Sequence, residues 1–471
     1  MKQICLLINL IIFGISVSGL YAQSDSCHLK FKVNGFTGGK IKLIGVYADQ
    51  NYIADSTFMN ESGEFEFRRK SPFKPGYFYV ILPDYSSFHI MINDEQFFTM
   101  ESNKGEYINT MKISGSIDNE LLYQSMILQS MHEKKFDSLN SQKSKYAGNQ
   151  DELKRIEKEL DLINNERKEY IKNLEQKYPN VFFTKFKIAG QNPEVPDFRK
   201  PNGEPDISRK LEFFRLNFWN DVDLMDNRLL ATPVIVNKLN RFITDLTVQH
   251  PDSIIRQADF VIQKSLENPE MFQFFTNYIA LKYQPSKTKV MDGEAVYVHI
   301  IDKYFTKDRA FWLTEKELAD LRKKAWEMSA SLLNKVGPDV VSVDPNGQTK
   351  SIYGIKKPYI IVFMYDPKCE HCQEETPKLK QFYEEWKNKG VEVFAIVLNA
   401  KDQEWRDFIK KYQIQNWINV HDPTNASIYA KYYVDITPEM YVLNKDRKII
   451  GKNLKVEQLK IILDRDMGIT N

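Results

Sequence analysis

The sequence predicts a multidomain fold: an all-β N-terminal domain over 27–115, an α-helical middle region over 116–335 and an α/β C-terminal domain over 336–471. Three observations carry this. Short alternating apolar runs broken by glycine and proline fill the first stretch, and a three-four apolar period takes over near Asn119. After residue 336, buried apolar runs alternate with amphipathic stretches. A chain of 471 residues exceeds one ordinary compact domain. Its 42% hydrophobic and 13% aromatic shares suffice for packed cores and exclude general disorder.

Residues 1–22 read as a signal peptide. Lys2 supplies the positive start, Ile4 to Val17 form an apolar stretch, and Ala22-Gln23 is the expected cleavage point. An uncleaved anchor is the competing reading, but the apolar run is short for a spanning helix. No later segment is long and apolar enough to span a bilayer. Gln23-Ser24-Asp25-Ser26 before Cys27 does not resemble a lipoprotein cleavage box. The expected location is the periplasm or cell envelope. Lys+Arg of 65 against Asp+Glu of 63, with no long like-charge block, gives no electrostatic case for nucleic acid.

In the β domain, Leu29, Phe31 and Val33 alternate with polar neighbours. Ile41, Leu43, Phe65, Phe67 and Tyr77 to Leu82 follow, separated by Ser62-Gly63, Pro72, Pro75-Gly76 and Pro83-Asp84. Short strands at this spacing fit a sandwich or small barrel, and His89 reads as a strand residue. Leu153, Ile156, Leu160, Ile163, Tyr170 and Leu174 then mark a long amphipathic helix that Pro179 ends, expected to pair with one around Leu121 to Leu139. Packing within the chain is preferred over a dimeric coiled coil, so the oligomeric state stays open. Residues 188–208, with four prolines and two glycines, read as a loop. The aromatics from Phe213 onward, at helical spacing, read as core rather than ligand cleft.

In the C-terminal domain Tyr359 to Met364 is a continuous apolar run, as a buried central strand needs. A helix is expected over 373–388, a strand over 391–398 and a helix over 404–412. A hairpin about Asn444-Lys445-Asp446 and a final helix over 456–463 complete the order, which implies a mixed sheet.

Cysteine usage points to the chemistry. Four cysteines in a large exported chain do not make a disulfide scaffold. Cys5 lies in the signal, Cys27 has no evident partner, and Cys369-Glu370-His371-Cys372 sits at a strand-to-helix turn. A cysteine at a helix start faces free N–H groups and the positive dipole end, which stabilise a thiolate. A second cysteine three residues on can attack a mixed disulfide. Zinc would need two further ligands, and no second cysteine pair or close histidine pair supplies them, so no metal is expected.

Around this pair the chain resembles the thioredoxin-fold oxidoreductases, and within them the TlpA-like exported branch, over about residues 336 to 465. Gly337-Pro338-Asp339, Asp344-Pro345-Asn346-Gly347, Pro377 and Thr437-Pro438 carry the resemblance, with Glu375 completing a C-x-x-C-x-x-E pattern. It implies a thioredoxin-like C-terminal domain, a cis-proline at Pro438, and Thr437 offering backbone groups to an extended substrate. No cofactor is implied beyond a redox-active Cys369–Cys372 disulfide. Partners implied are disulfide-containing exported proteins and a membrane electron donor. Two departures stand out: Lys368 replaces the usual tryptophan before the first cysteine, and Phe363 replaces the buried aspartate of thioredoxin. Glu375 is the candidate replacement for proton transfer, against the reading of a solvated surface glutamate. Protonated His371 supports a thiolate and Glu370 opposes it.

The expected function is therefore a thiol-disulfide oxidoreductase: Cys369 attacks and Cys372 resolves. A thiol peroxidase would need a Pro-x-x-x-Thr-x-x-Cys pattern, which the residues before Cys369 do not supply. A cell-envelope binding or scaffold protein with an auxiliary redox domain is the reading from another class, because residues 27–335 display no chemistry.

Overall fold

The computed structural model describes residues 25–285, 287–421, 425, 431–434 and 436–469. The expected signal peptide and Cys5 lie outside them. The described residues fall into two compact units, one running to Ile188 and including Ala231–Pro233, the other made of Ala189–Leu230 and the chain from Val234 onward.

The first unit opens with β1 (Cys27–Asn34), β2 (Gly39–Tyr47), β3 (Gln50–Met59), β4 (Glu64–Arg69), β5 (Gly76–Ile81), β6 (Ser87–Ile92), β7 (Phe97–Asn103) and β8 (Lys112–Ser114). They form two four-stranded sheets, β4-β1-β7-β8 and β3-β2-β5-β6. Period-two alternation turns Leu29, Phe31 and Val33 inward, and Phe31 stacks on Phe65 at 5.0 Å. The apolar pattern does not mark β3, because only its last residue, Met59, is buried. His89 is a strand residue, its Nδ1 2.6 Å from the Tyr77 hydroxyl.

Next come α1 (Ile117–Lys145), α2 (Gln150–Lys177) and α3 (Phe182–Ala189). Ser116 caps α1 by accepting the Asn119 N–H, and Asn149 caps α2. The Asn119 side chain also exchanges two hydrogen bonds with the Met91 backbone, at 2.8 and 2.7 Å, fastening α1 to β6. Leu139, Ile156 and Ile163 form one buried cluster, so α1 and α2 pack on each other within the chain.

In the second unit α4 (Ile207–Asn217), α5 (Pro233–Thr244), α6 (Pro251–Lys264), α7 (Pro269–Lys282), α8 (Glu294–Tyr304) and α9 (Glu315–Ser329) follow the 188–208 loop. Their aromatics are core: Trp219 meets Phe242 and Phe275 edge-on at 5.8 and 5.5 Å.

The chain then forms β9 (Val341–Val343), β10 (Thr349–Ser351), β11 (Tyr359–Tyr365), α10 (Glu370–Trp386), β12 (Val391–Val397), α11 (Asp402–Tyr412) and β13 (Ile418–His421). It ends with β14 (Glu439–Leu443), β15 (Ile449–Gly451) and α12 (Val456–Asp466). Among the described residues they build a seven-stranded sheet ordered β10-β9-β13-β12-β11-β14-β15. β11 is central, parallel to β12 and antiparallel to β14. Ile361, Phe363 and Tyr365 fill the core on one face, and Ile360, Val362 and Met364 fill the other. Burial on both faces is why the run is continuous rather than alternating. β13, absent from the expected order, inserts between β9 and β12; it is four residues long and carries buried Asn419, so it lacks an apolar signature.

Candidate active site

The helix expected from residue 373 begins at Glu370, which makes Cys369 its N-cap residue. The turn that delivers it is held by local bonds. Asp366 accepts the Lys368 N–H through its carboxylate at 2.9 Å and the Cys369 N–H through its carbonyl at 3.1 Å. Gln373 Nε2 donates to the Pro367 carbonyl at 3.0 Å, and Lys368 pairs with Glu404 of α11 at 3.0 Å. The tryptophan position is thus used for an ion pair.

The two thiols differ sharply. Cys369 is half-buried and Cys372 fully buried. Burial works to raise the Cys369 pKa. The Cys372 N–H and thiol, the Thr437 side chain and the His371 N–H outweigh it, and the net direction is down. Burial pushes Cys372 up to about 12, against a backbone hydrogen bond of Asp366. The Cys369 Sγ donates to the Thr437 carbonyl at 3.2 Å, and the Thr437–Pro438 peptide bond is cis.

The remaining candidates are placed less uniformly. Glu370 and His371 are exposed, and His371 Nδ1 lies 3.3 Å from Glu374 Oε2. Glu375 is only 8% exposed, so it is not a solvated surface group. Its Oε2 accepts the Val456 N–H at the start of α12 at 3.0 Å, and its Oε1 accepts from Lys378 at 2.7 Å. Its hydrogen bonds therefore run to α12 and Lys378 rather than to either sulfur. Phe363 is buried and stacks on Tyr365 at 5.2 Å.

Sequence reasoning missed Tyr365. It is fully buried, stacks on Phe408 at 4.7 Å and lies within the electrostatic reach of Cys372. Its hydroxyl and the Trp405 indole N–H are both buried and act on each other, though the pair falls short of full hydrogen-bond geometry. A polar-tipped residue closing a strand otherwise buried by apolar side chains was the available signal. Among the described residues no group of three or more His, Cys, Asp or Glu side chains is placed to hold a metal ion, and no helix is long and apolar enough to cross a membrane. A cleft of about 510 Å³ opens beside Thr437 and Pro438; a larger cavity, about 650 Å³, lies in the β domain and is lined by no cysteine.

Residues 357–449 match the family model described as thioredoxin-like, and 157–334 match a domain of unknown function, DUF5106. The thiol-disulfide oxidoreductase ResA of Bacillus cereus is 26% identical over 137 residues, covering 28% of this chain and 78% of that relative. ResA of Bacillus subtilis is 26% identical over 113 residues, covering 24% and 62%. A solved domain of a possible thiol-disulfide isomerase from Cytophaga hutchinsonii is 36% identical, covering 29% of this chain and 94% of that one, with a TM-score of 0.28. A thioredoxin-like protein from Bacteroides caccae is 16% identical, covering 58% and 97%, with a TM-score of 0.48. The family match falls on the same stretch that builds β11, α10 and the cis-proline loop, and it makes this C-terminal domain thioredoxin-like.

Proposed function

We propose that this chain exchanges disulfides through Cys369 and Cys372, reducing exported proteins in the periplasm or cell envelope. The observation that carries this is the asymmetry of the pair: a half-buried thiol with a lowered pKa stands one helical turn from a buried thiol at about 12. The Cys369 thiolate attacks one sulfur of a substrate disulfide, whose S–S bond breaks as the leaving sulfur takes a proton. Cys372 then gives up its proton and attacks the Cys369 Sγ. The second substrate thiol leaves, and a Cys369–Cys372 disulfide remains. Two electrons have passed to the substrate, and an external dithiol, read here as a membrane donor, returns them. Thr437 and Pro438 receive the extended substrate segment, and no cofactor beyond the cysteine pair takes part. Glu375 acts through its hold on α12 and Lys378, and Glu370 and His371 adjust the charge at the exposed rim.

Reduction of insulin by dithiothreitol, with and without the full chain, tests the reading. The native chain accelerates precipitation of the reduced insulin, and Cys369→Ser returns the rate to background. A native chain no faster than dithiothreitol alone would overturn it.

A further inference from the structure

The cleft beside the cysteines has walls from two parts of the sequence. Thr437, Pro438 and Met440 line it, and so do Lys289, Val290 and Met291 of the helical region. Met291 packs against the core cluster that contains Cys372.

This second wall is firmly anchored. Asp292 is buried and sits at φ 58, a left-handed conformation that asparagine and aspartate tolerate better than most residues. Its carboxylate accepts the Leu333 N–H at 2.9 Å and lies 3.3 Å from Lys452 Nζ. Lys452, equally buried, reaches Glu294 at 2.7 Å and donates to the Ser331 carbonyl at 2.8 Å. At Gly293 a Cβ would stand 2.5 Å from Thr288 Oγ1, so the turn is closed tightly on itself. Buried ion clusters of this kind hold one geometry, because losing a partner strands a charge.

Three lysines, Lys289, Lys378 and Lys455, and three glutamates, Glu374, Glu375 and Glu439, line the cleft. Lys289 and Lys455 are exposed on its rim, and neither forms an ion pair among the described residues. Of these acids, Glu375 is held by Lys378 and the Val456 N–H, and Glu439 is buried and accepts from the Tyr441 hydroxyl at 3.2 Å; Glu374 is exposed, 3.3 Å from His371 Nδ1.

We propose that the turn at Lys289–Asp292 is a substrate-selecting wall, and that Lys289 and Lys455 together favour disulfides flanked by acidic side chains. The proposal rests on the exchange chemistry argued above. It assigns the helical region a part in recognition, through Lys289, which lines the same cleft as Lys455.

The test uses the reduced full chain and two synthetic peptides, each closed by one disulfide and differing only in Asp or Lys beside the cysteines. The Asp peptide should react about threefold faster or more at low salt, the scale of two exposed charge contacts, with the ratio falling toward one at high salt. Lys289→Glu should remove part of the preference and the double change with Lys455→Glu should invert it. Equal rates for the two peptides overturn the proposal. A ratio that responds to Lys455→Glu and not to Lys289→Glu overturns the wall. A small neutral disulfide separates the two levels: if the native chain reduces it but neither peptide, only the cleft proposal falls. If it reduces none of the three, the exchange reading falls too.

Discussion

The Cys369 Sγ lies 3.2 Å from the carbonyl oxygen of Thr437, a residue 68 positions later in the chain. Sheet topology brings them together. β11 and β14 are antiparallel neighbours with Met364 opposite Glu439, so the turn leaving β11 and the loop entering β14 share one sheet end. The attacking sulfur and a backbone edge suited to an extended substrate therefore arise from one strand pairing. The same sheet end gives each thiol a different environment.

That difference fixes an order of reactivity. Burial pushes the Cys372 thiol up to about 12, so it stays protonated near neutral pH, and it is also fully buried. Iodoacetamide should label Cys369 at least about tenfold faster at pH 7. The Cys369 rate should rise with pH and level off below the ordinary thiol value, because its pKa is lowered. Mass spectrometry of the modified peptides reads both rates, and faster labelling of Cys372 would reverse the roles.

Resolution by the buried thiol predicts a trap. Cys372→Ala should retain disulfide-bearing partners on Cys369 as adducts that survive acid quenching and are released by reductant. Cys369→Ala should retain few, because Cys372 is buried and largely un-ionised near neutral pH. Non-reducing gels of acid-quenched cells compare the two variants. Equal adduct levels would contradict attack by Cys369.

What was legible beforehand follows from how locally each feature is encoded. β11 spans Tyr359–Tyr365, as its unbroken apolar run requires, and α2 spans Gln150–Lys177, as its three-four period requires. β3 and β13 were illegible for opposite reasons. One is exposed along nearly its whole length, and the other is too short to establish a period. Cys369 and Cys372 are adjacent in sequence and chemically distinctive. Lys452 and Asp292 look like ordinary surface residues in the sequence, and only the fold, across 160 positions, makes them a buried pair.

Glu375 provides a test of whether a buried carboxylate near the thiols does more than fasten helices. Glu375→Gln keeps an acceptor for the Val456 N–H and removes one of the two carboxylates that hold Lys378, leaving Glu457 at 3.0 Å. Removing the nearby anion favours thiolate, so the Cys369 titration should move down. Glu375→Ala also abandons the buried N–H and should cost about 1–3 kcal/mol of stability. Thiolate absorbance against pH, with thermal melting, separates the effects. A shifted melt with an unmoved titration would leave Glu375 a helix fastener only.

The Lys452 cluster makes the largest stability prediction. Burial raises the Asp292 carboxyl to about 6, with Lys452 opposing the rise and Glu294 adding to it. For Lys452 burial alone works downward; Glu294 and Asp292 reverse that, and its pKa is raised. The sign follows for each group. The lysine's contribution is fully present below its unfolded value and lost only as pH rises through the folded one, in the alkaline range. Asp292 binds its proton more tightly when folded. The stability tied to that proton is present below about pH 4 and lost as pH rises through about 6. Lys452→Met should therefore cost about 3–5 kcal/mol near pH 8, where it leaves a buried carboxylate without its counter-ion. At pH 5 the loss should be smaller, because Asp292 can carry a proton there. Adding Asp292→Asn and Glu294→Gln to Lys452→Met should recover part of the loss at pH 8. Thermal unfolding of the full chain at both pH values measures it. An equal loss at pH 5 and pH 8 would mean that the stranded carboxylate is not the source of the cost.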